Sequence, residues 1–309
     1  TSATRLDPIN EVGGGVENPL SRNFNWNLPL VSLRGRAGMD LGLTLSYNSL
    51  VWTKIGNVVT FDKDQGFPGP GFRIGFPVIE PLYFNAEVNK DAYLLIDSDG
   101  SRVELRHLGG TSTLYQAADS SYLLFDSSSK VLRDTDGTQF TYALKGTEYK
   151  CTQVKDRNGN FISVSYTAAN QINTITDTLG RVLTFNYDTT TGELTSISQV
   201  WNQSVQNLPT HYWARFYYSE VPIDTNFKAG IGVIGPADNA HPRMLTQVKL
   251  GDDSHFDFAY TSWGQVWKIT NIAPDNTSIL NYRSYNLPQD GSLEHQDCPR
   301  FTIRNDWAR

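Results

Sequence analysis

The chain has 309 residues and a formal net charge of −6, a balance that excludes a nucleic-acid surface, which needs clustered Lys and Arg. No apolar run approaches the ~20 residues that cross a bilayer as a helix. Tyr and Phe, 15 of each, are interleaved with Gly, Asn, Asp, Ser and Thr, and no window sustains an i, i+3, i+4, i+7 apolar stripe, so the expected fold is all-β.

Residues 1–22 carry three consecutive glycines, Gly13 to Gly15, with Pro8 and Pro19, and read as a flexible lead segment. No charged-then-apolar leader follows Thr1, so the expectation is a mature product or an excised piece. Residues 23–90 form an opening β region: Leu41, Leu43, Leu45 and Tyr47 sit two apart and share one face of a strand. Val58 to Phe61 extends the pattern as a further hairpin. Pro68 and Pro70, inside a Gly-rich run, break it, since neither has an N–H for a ladder. Residues 91–309 read as β-hairpin repeats, with loop insertions expected at 202–210 and 219–243.

The repeats are clearest between 156 and 197. Asp156-x-x-Gly159 leads into an alternating strand ending at Tyr166; Asp177-x-x-Gly180 leads into another ending at Tyr187-Asp188. Gly192-x-Leu194-x-x-Ile197 closes the second unit, and Gly264-x-Val266-x-x-Ile269 repeats that grammar after Tyr260. Asn170-x-Ile172-x-x-Ile175 is the same with Asn, which tolerates the left-handed conformation. Asp99-Gly100 and Asp136-Gly137 fit type I′ turns, with positive φ at both residues. One such hairpin cannot bury a face alone, so the units are expected to stack into one extended antiparallel sheet.

With Tyr187-Asp188 before Gly192-Glu193-Leu194, and Asp177-x-x-Gly180-Arg181 ahead of them, the chain resembles the YD repeats of the Rhs family, whose relatives include teneurins and Tc toxin shells. The stretch from Asn23 to Ser49, with Leu28-Pro29-Leu30 and Leu43-Thr44-Leu45-Ser46-Tyr47, is similar to the segment that opens many bacterial shells of this kind. The resemblance implies a spiralling sheet that encloses or presents a C-terminal effector, secreted or at the cell surface of a bacterium. This chain departs from the pattern at Tyr166-Thr167 and Tyr260-Thr261, and its repeats are too few for a full shell. The expectation is therefore the N-terminal portion of a longer, non-enzymatic structural protein, with the rest of its own chain, or another copy at a sheet edge, as partner.

Other chemistries have weaker footing. Asp97-x-Asp99-Gly100 and Asp134-x-Asp136-Gly137 lack the third acid and distal Glu of a calcium loop, and Asp there favours the turn itself, so no metal or cofactor is expected. His107, His211, His241, His255 and His295 are scattered, and no Ser or Cys sits in a recognisable nucleophile setting. A polysaccharide or ester hydrolase would have to assemble its groups in space alone. Trp201, Trp213, Tyr217, Trp263 and Trp267 are candidates for an aromatic surface that binds cell-surface glycans, with packing as the competing explanation. Asn202 and Asn276 match glycosylation acceptors. Cys151 and Cys298 are either two thiols or one long-range disulfide, and their spacing has no metal signature.

Overall fold

The computed structural model describes residues 16–18, 23–83, 91–201, 209–225, 227, 230–286, 301 and 303–309. The expected lead segment lies largely outside them, as do residues 202–208 of the first expected loop, Asn202 among them. Cys298 and His295 also lie outside. The described residues are almost wholly β, with one 3-10 turn at Arg36–Gly38. In chain order the strands are β1 (Val16–Asn18), β2 (Asn23–Leu33), β3 (Leu41–Asn48), β4 (Trp52–Ile55), β5 (Val58–Phe61), β6 (Phe72–Ile74), β7 (Val78–Tyr83) and β8 (Asp91–Ile96). They continue as β9 (Arg102–His107), β10 (Leu114–Ala117), β11 (Leu124–Asp126), β12 (Val131–Arg133), β13 (Gln139–Lys145), β14 (Glu148–Lys155), β15 (Phe161–Tyr166), β16 (Ile172–Asp177) and β17 (Val182–Tyr187). The last are β18 (Leu194–Val200), β19 (Thr210–Glu220), β20 (Gly232–Ile234), β21 (Arg243–Leu250), β22 (His255–Tyr260), β23 (Val266–Ile272), β24 (Ile279–Asn286) and β25 (Ile303–Ala308).

Consecutive hairpins from β7 to β14 form an eight-strand closed ring, because Ile79 of β7 pairs with Tyr149 of β14 and Val78 with Lys150. Side chains fill the ring: Ile79, Leu105, Phe125, Leu132 and Cys151 are buried in it, and Tyr93 meets Tyr115 and Phe125 edge-on. Eight strands leave an interior just wide enough for side chains to fill. At β14 the sheet forks. Tyr149 and Lys150 face β7, while Gln153, Val154 and Lys155 of the same strand pair with β15. From β15 the antiparallel wall runs on through β19, then β21 to β25.

One face of that wall is apolar by alternation: Ile162 and Val164, Leu183 and Phe185, Phe256 and Phe258 are buried on it. The sheet β1-β2-β3-β6 covers it. Trp26 of β2 lies edge-on between Phe256 and Phe258, and Phe24 stacks on Tyr285 with centroids 3.7 Å apart. The boundary expected near residue 90 falls in the β7–β8 connection, at 84–90, outside the described residues; β7 on its near side is paired to β8 along its whole length. Residues 219–243 contain more than loop. They supply β20, which pairs parallel with β5, and Ile223 and Phe227, which pack with Trp52.

The Asp-Gly turns differ from the type I′ expectation. In the turns at 97–101 and 134–138, positive φ is confined to Gly100 and Gly137. Asp97 N–H donates to Ser101 C=O and Gly100 N–H to Asp97 C=O, and Asp134, Gly137 and Thr138 repeat this. Each is thus a three-residue loop with the glycine in the left-handed region. The same pattern recurs at 156–160, 167–171, 177–181, 250–254 and 261–265. Carboxylates hold these loops: Asp99 and Asp136 Oδ1 accept the N–H of Ser101 and Thr138, two residues on, while in the later turns Asp177 Oδ1 accepts the N–H of Leu179 and of Arg181, and Asp156 Oδ1 those of Asn158 and Asn160. A mirror-image turn would aim those amides elsewhere.

Candidate functional site

The feature that links one hairpin to the next is a tyrosine in the first strand of each unit. Tyr142, Tyr166, Tyr187, Tyr218 and Tyr260 all sit at a β-bulge, where the partner strand carries one extra residue: Thr152, Asn173, Thr195, Thr246 and Trp267 in turn. Across the bulge they pair with Cys151, Ile172, Leu194, Leu245 and Val266. Each next tyrosine reaches back to that residue. Tyr166 OH donates to Cys151 C=O at 2.6 Å, Tyr187 OH to Ile172 C=O at 2.7 Å, Tyr218 OH to Leu194 C=O at 3.1 Å, and Tyr260 OH to Leu245 C=O at 2.5 Å.

The ladder is interrupted at a bulge, which frees a carbonyl, and a phenol buried on its apolar side needs an acceptor. Each feature meets the need of the other. Bulged threonines add a second clasp: Thr152, Thr195 and Thr246 hydroxyls donate to the carbonyls of Thr141, Asn186 and Tyr217, each the residue before a tyrosine. The relay ends at the covering sheet, where Val266 N–H donates to Tyr47 OH of β3 at 2.9 Å. Burial raises the phenols of Tyr47, Tyr166, Tyr187, Tyr218 and Tyr260 well above the usual tyrosine range, so all five stay neutral, the last four as donors and Tyr47 as the acceptor of the Val266 N–H.

The residue after Tyr166, Tyr187 and Tyr260 closes the next turn. Thr167 and Thr261 hydroxyls accept the N–H of Gln171 and Gln265 where an Asp would use its carboxylate, which is why Tyr-Thr serves as well as Tyr-Asp. Asp188 accepts from Thr190 and Thr191 in a loop one residue longer, closed to Glu193. These bonds hold the carboxyls of Asp156, through the Asn160 amide, and Asp188, through the Thr191 and Thr190 N–H groups, below the usual range. Gly159, Gly180, Gly192 and Gly264 all have positive φ.

A cleft of about 240 Å³ opens at the fork of β14. Asp64, Arg73, Asp97, Glu148 and Lys150 line it over a floor of Phe67, Phe76 and Tyr166. Four of these five charges are paired, Lys150 with Glu148 at 3.1 Å and Asp64 with Arg73 at 3.8 Å and also with Arg102, while the Asp97 carboxylate accepts the N–H and hydroxyl of Ser98. Its lining has carboxylates but no His or Cys. Beside it on β7, Glu80 is pushed up by burial and by the carboxylates of Glu148 and Asp64. A raised folded pKa makes Glu80 unfavourable to stability as pH rises through that value and neutral below the ordinary 4.5. Glu80→Gln is therefore expected to raise the melting temperature at neutral pH and to lose that advantage below pH 4.5, which melts across the pH range will show.

The candidate glycan-binding aromatics separate. Trp201 (56% exposed), His211 and Trp213 form one cluster, with Trp201–His211 centroids 5.2 Å apart and His211–Trp213 4.6 Å. The Trp213 indole N–H is held by Gln199 Oε1 at 3.1 Å. Tyr217 is exposed on its own, and Trp267 is the bulged residue opposite Tyr260. Trp263 offers no free ring face. It is 2% exposed, stacked on Phe227, and its carbonyl accepts the indole N–H of Trp52, because the turn carrying it is covered by the β4–β5 hairpin. His211 joins this cluster by pairing with Gln199 across β18–β19, and only that register could have revealed it.

Cys151 is a buried free thiol whose side chain points at Gln153 C=O, and burial pushes its pKa up to about 12. Only the thiolate reacts, so Cys151 is expected to resist iodoacetamide in the folded protein and to label fully in denaturant, as peptide mass spectrometry will map.

Fold and relay together define an all-β wall of stacked antiparallel hairpins, bonded unit to unit by tyrosine. No family model matches the chain and no curated protein matches it. Solved structures similar to it include a crystal structure of TcdB2-TccC3-TEV, over 86% of this chain and 18% of that one, at 9% identity and a TM-score of 0.31. A structure of TcdB2-TccC3 is similar over 95% and 16%, at 12% identity and a TM-score of 0.31; one of TcdB2-TccC3-Cdc42 over 87% and 15%, at 11% and 0.30. The chain thus spans less than a fifth of each.

Proposed function

We propose that the chain is a non-enzymatic structural module, part of the wall of an Rhs-type β shell that encloses or presents an effector outside the bacterial cytoplasm. The observation that carries this is the tyrosine relay. The phenols of Tyr166, Tyr187, Tyr218 and Tyr260 each bond to the unit before, and the Val266 amide of the last of these units is tied to Tyr47 of the covering sheet, an arrangement that stiffens a wall without exposing a reactive group. Asp64, Arg73, Glu148 and Lys150 of the cleft are engaged in ion pairs, and the turn carboxylates with backbone amides, which supports the same reading. Electron microscopy of the polypeptide that carries this segment tests it. A hollow shell with enclosed density is the expected result, and a solid particle overturns the proposal.

A second reading has one observation in its favour: the exposed Trp201 beside a Trp213 fixed by Gln199 presents a rigid aromatic surface suited to a sugar ring. Binding on a glycan array that disappears in Trp201→Ala, with the fold kept, would establish it.

A further inference from the structure

The cleft at the fork of β14 lies where the ring and the wall part, bounded by the turn at 97–101, the turn at 167–171 and the chain around Arg73. Its charged groups are unequally engaged. Lys150 holds Glu148 and also donates to Asn170 C=O at 3.0 Å, and both arginines near Asp64 approach the same oxygen, Oδ2. Asp64 Oδ1 and Asp97 Oδ2 accept no hydrogen bond among the described residues, and Asp97 Oδ1 has its neighbour Ser98. The lining carries three carboxylates against two cations. Glu80 beside it registers that excess: after burial, the charges of Glu148 and Asp64 push its pKa up more than Arg102 and Arg73 pull it down.

We propose that this cleft takes up a guanidinium group, carried by an arginine side chain or by a small guanidinium compound, with Asp97 as its carboxylate partner. The floor supplies the other half of the recognition. Phe67, Phe76 and Tyr166 are partly buried against the core and line the cleft with the rest of their rings. The Tyr166 hydroxyl is spent on Cys151 C=O, so the ring is what it offers. A guanidinium is planar and weakly hydrated; its face stacks on aromatic rings while its edge forks to a carboxylate. An ammonium has no such face and is held more tightly by water.

Size and charge narrow the choice further. At about 240 Å³ the cleft is smaller than the roughly 300 Å³ at which sites for drug-sized ligands begin, so it suits a single side chain. An anion is disfavoured: Arg73, 3.8 Å from Asp64, is the lining cation without a hydrogen bond among the described residues, and three carboxylates share the cleft with it. Asp97 is placed before any ligand arrives. Its N–H donates to Ser101 C=O and its C=O accepts the Gly100 N–H, so its backbone need not be ordered on binding.

Saturation-transfer NMR titrations of the intact chain with N-acetyl-arginine amide test this. Binding is expected, with transfer strongest at the methylene next to the guanidinium, which lies over the rings. The citrulline amide, nearly the same shape without the charge, should bind about tenfold more weakly, and the lysine amide should also be weaker. Asp97→Asn should lower affinity for the arginine amide about fivefold, and Asp99→Asn, in the same turn but outside the lining, should leave it unchanged. The arginine–citrulline comparison needs no variant, so it decides even if Asp97→Asn fails to fold. An acetylated Gly-Arg-Gly amide that binds more tightly than the arginine amide assigns the cleft to a protein segment; equal affinity assigns it to a small guanidinium compound. No transfer to the arginine amide, equal affinity for citrulline, or a folded Asp97→Asn that binds as wild type overturns the proposal. None of these probes alters a relay tyrosine, so the wall reading is tested separately.

Discussion

Gly264→Val is expected to cost about 3–5 kcal/mol, and Gly180→Val only about 1–3 kcal/mol, although the two glycines hold the same place in their turns. Both have positive φ, +70° and +75°, so a β-branched side chain strains the backbone at either. They differ in what surrounds them. A Cβ on Gly264 would lie 2.8 Å from Ile223 Cδ1 and 3.3 Å from Phe61, inside the cluster that seats Trp52, whereas one on Gly180 meets nothing within 4 Å. The added term at Gly264 is overpacking against Ile223, which is itself fully buried in that cluster. Chemical denaturation of the two variants measures the gap, and equal losses would show that the covering hairpin does not press on this turn.

Removing single phenol oxygens tests the relay. Tyr187→Phe and Tyr260→Phe are each expected to lose about 1–3 kcal/mol, because each leaves a bulge carbonyl without its donor in an apolar setting. The double variant should lose nearly the sum, since each tyrosine bonds to a different carbonyl. Tyr142→Phe is the internal control. The Tyr142 hydroxyl is buried at the start of the relay with no hydrogen-bond partner among the described residues, so its removal should be neutral or stabilising. Denaturant midpoints decide. A Tyr142→Phe loss as large as the others would mean that the ring packing, and not the hydroxyl, is what each variant reports.

The hairpin grammar was legible because its causes are local. Asp177 and Gly180 specify a loop through bonds within five residues, and Ile172, Ile175, Leu183 and Phe185 set the buried face by alternation. The type I′ assignment failed on a detail equally local: Asp99 and Asp136 each turn Oδ1 to the amide two residues on, which a three-residue loop presents. The tyrosines were visible as repeat markers, but their partners were not. The sequence shows no bulge, and it is the extra residue, Asn173 or Thr195, that frees the carbonyl the next phenol reaches.

By itself, then, the sequence determined an all-β chain of stacked hairpins and the residues that mark each unit, because turn chemistry and side-chain alternation act over a few residues. Tertiary structure alone decided that β7 returns to β14 to close a ring, that β20 pairs parallel with β5, and that Trp263 lies beneath Trp52, 211 positions away, and not on the surface. Those pairings join strands whose local patterns suit many partners, so only the simultaneous burial of every apolar face selects among them.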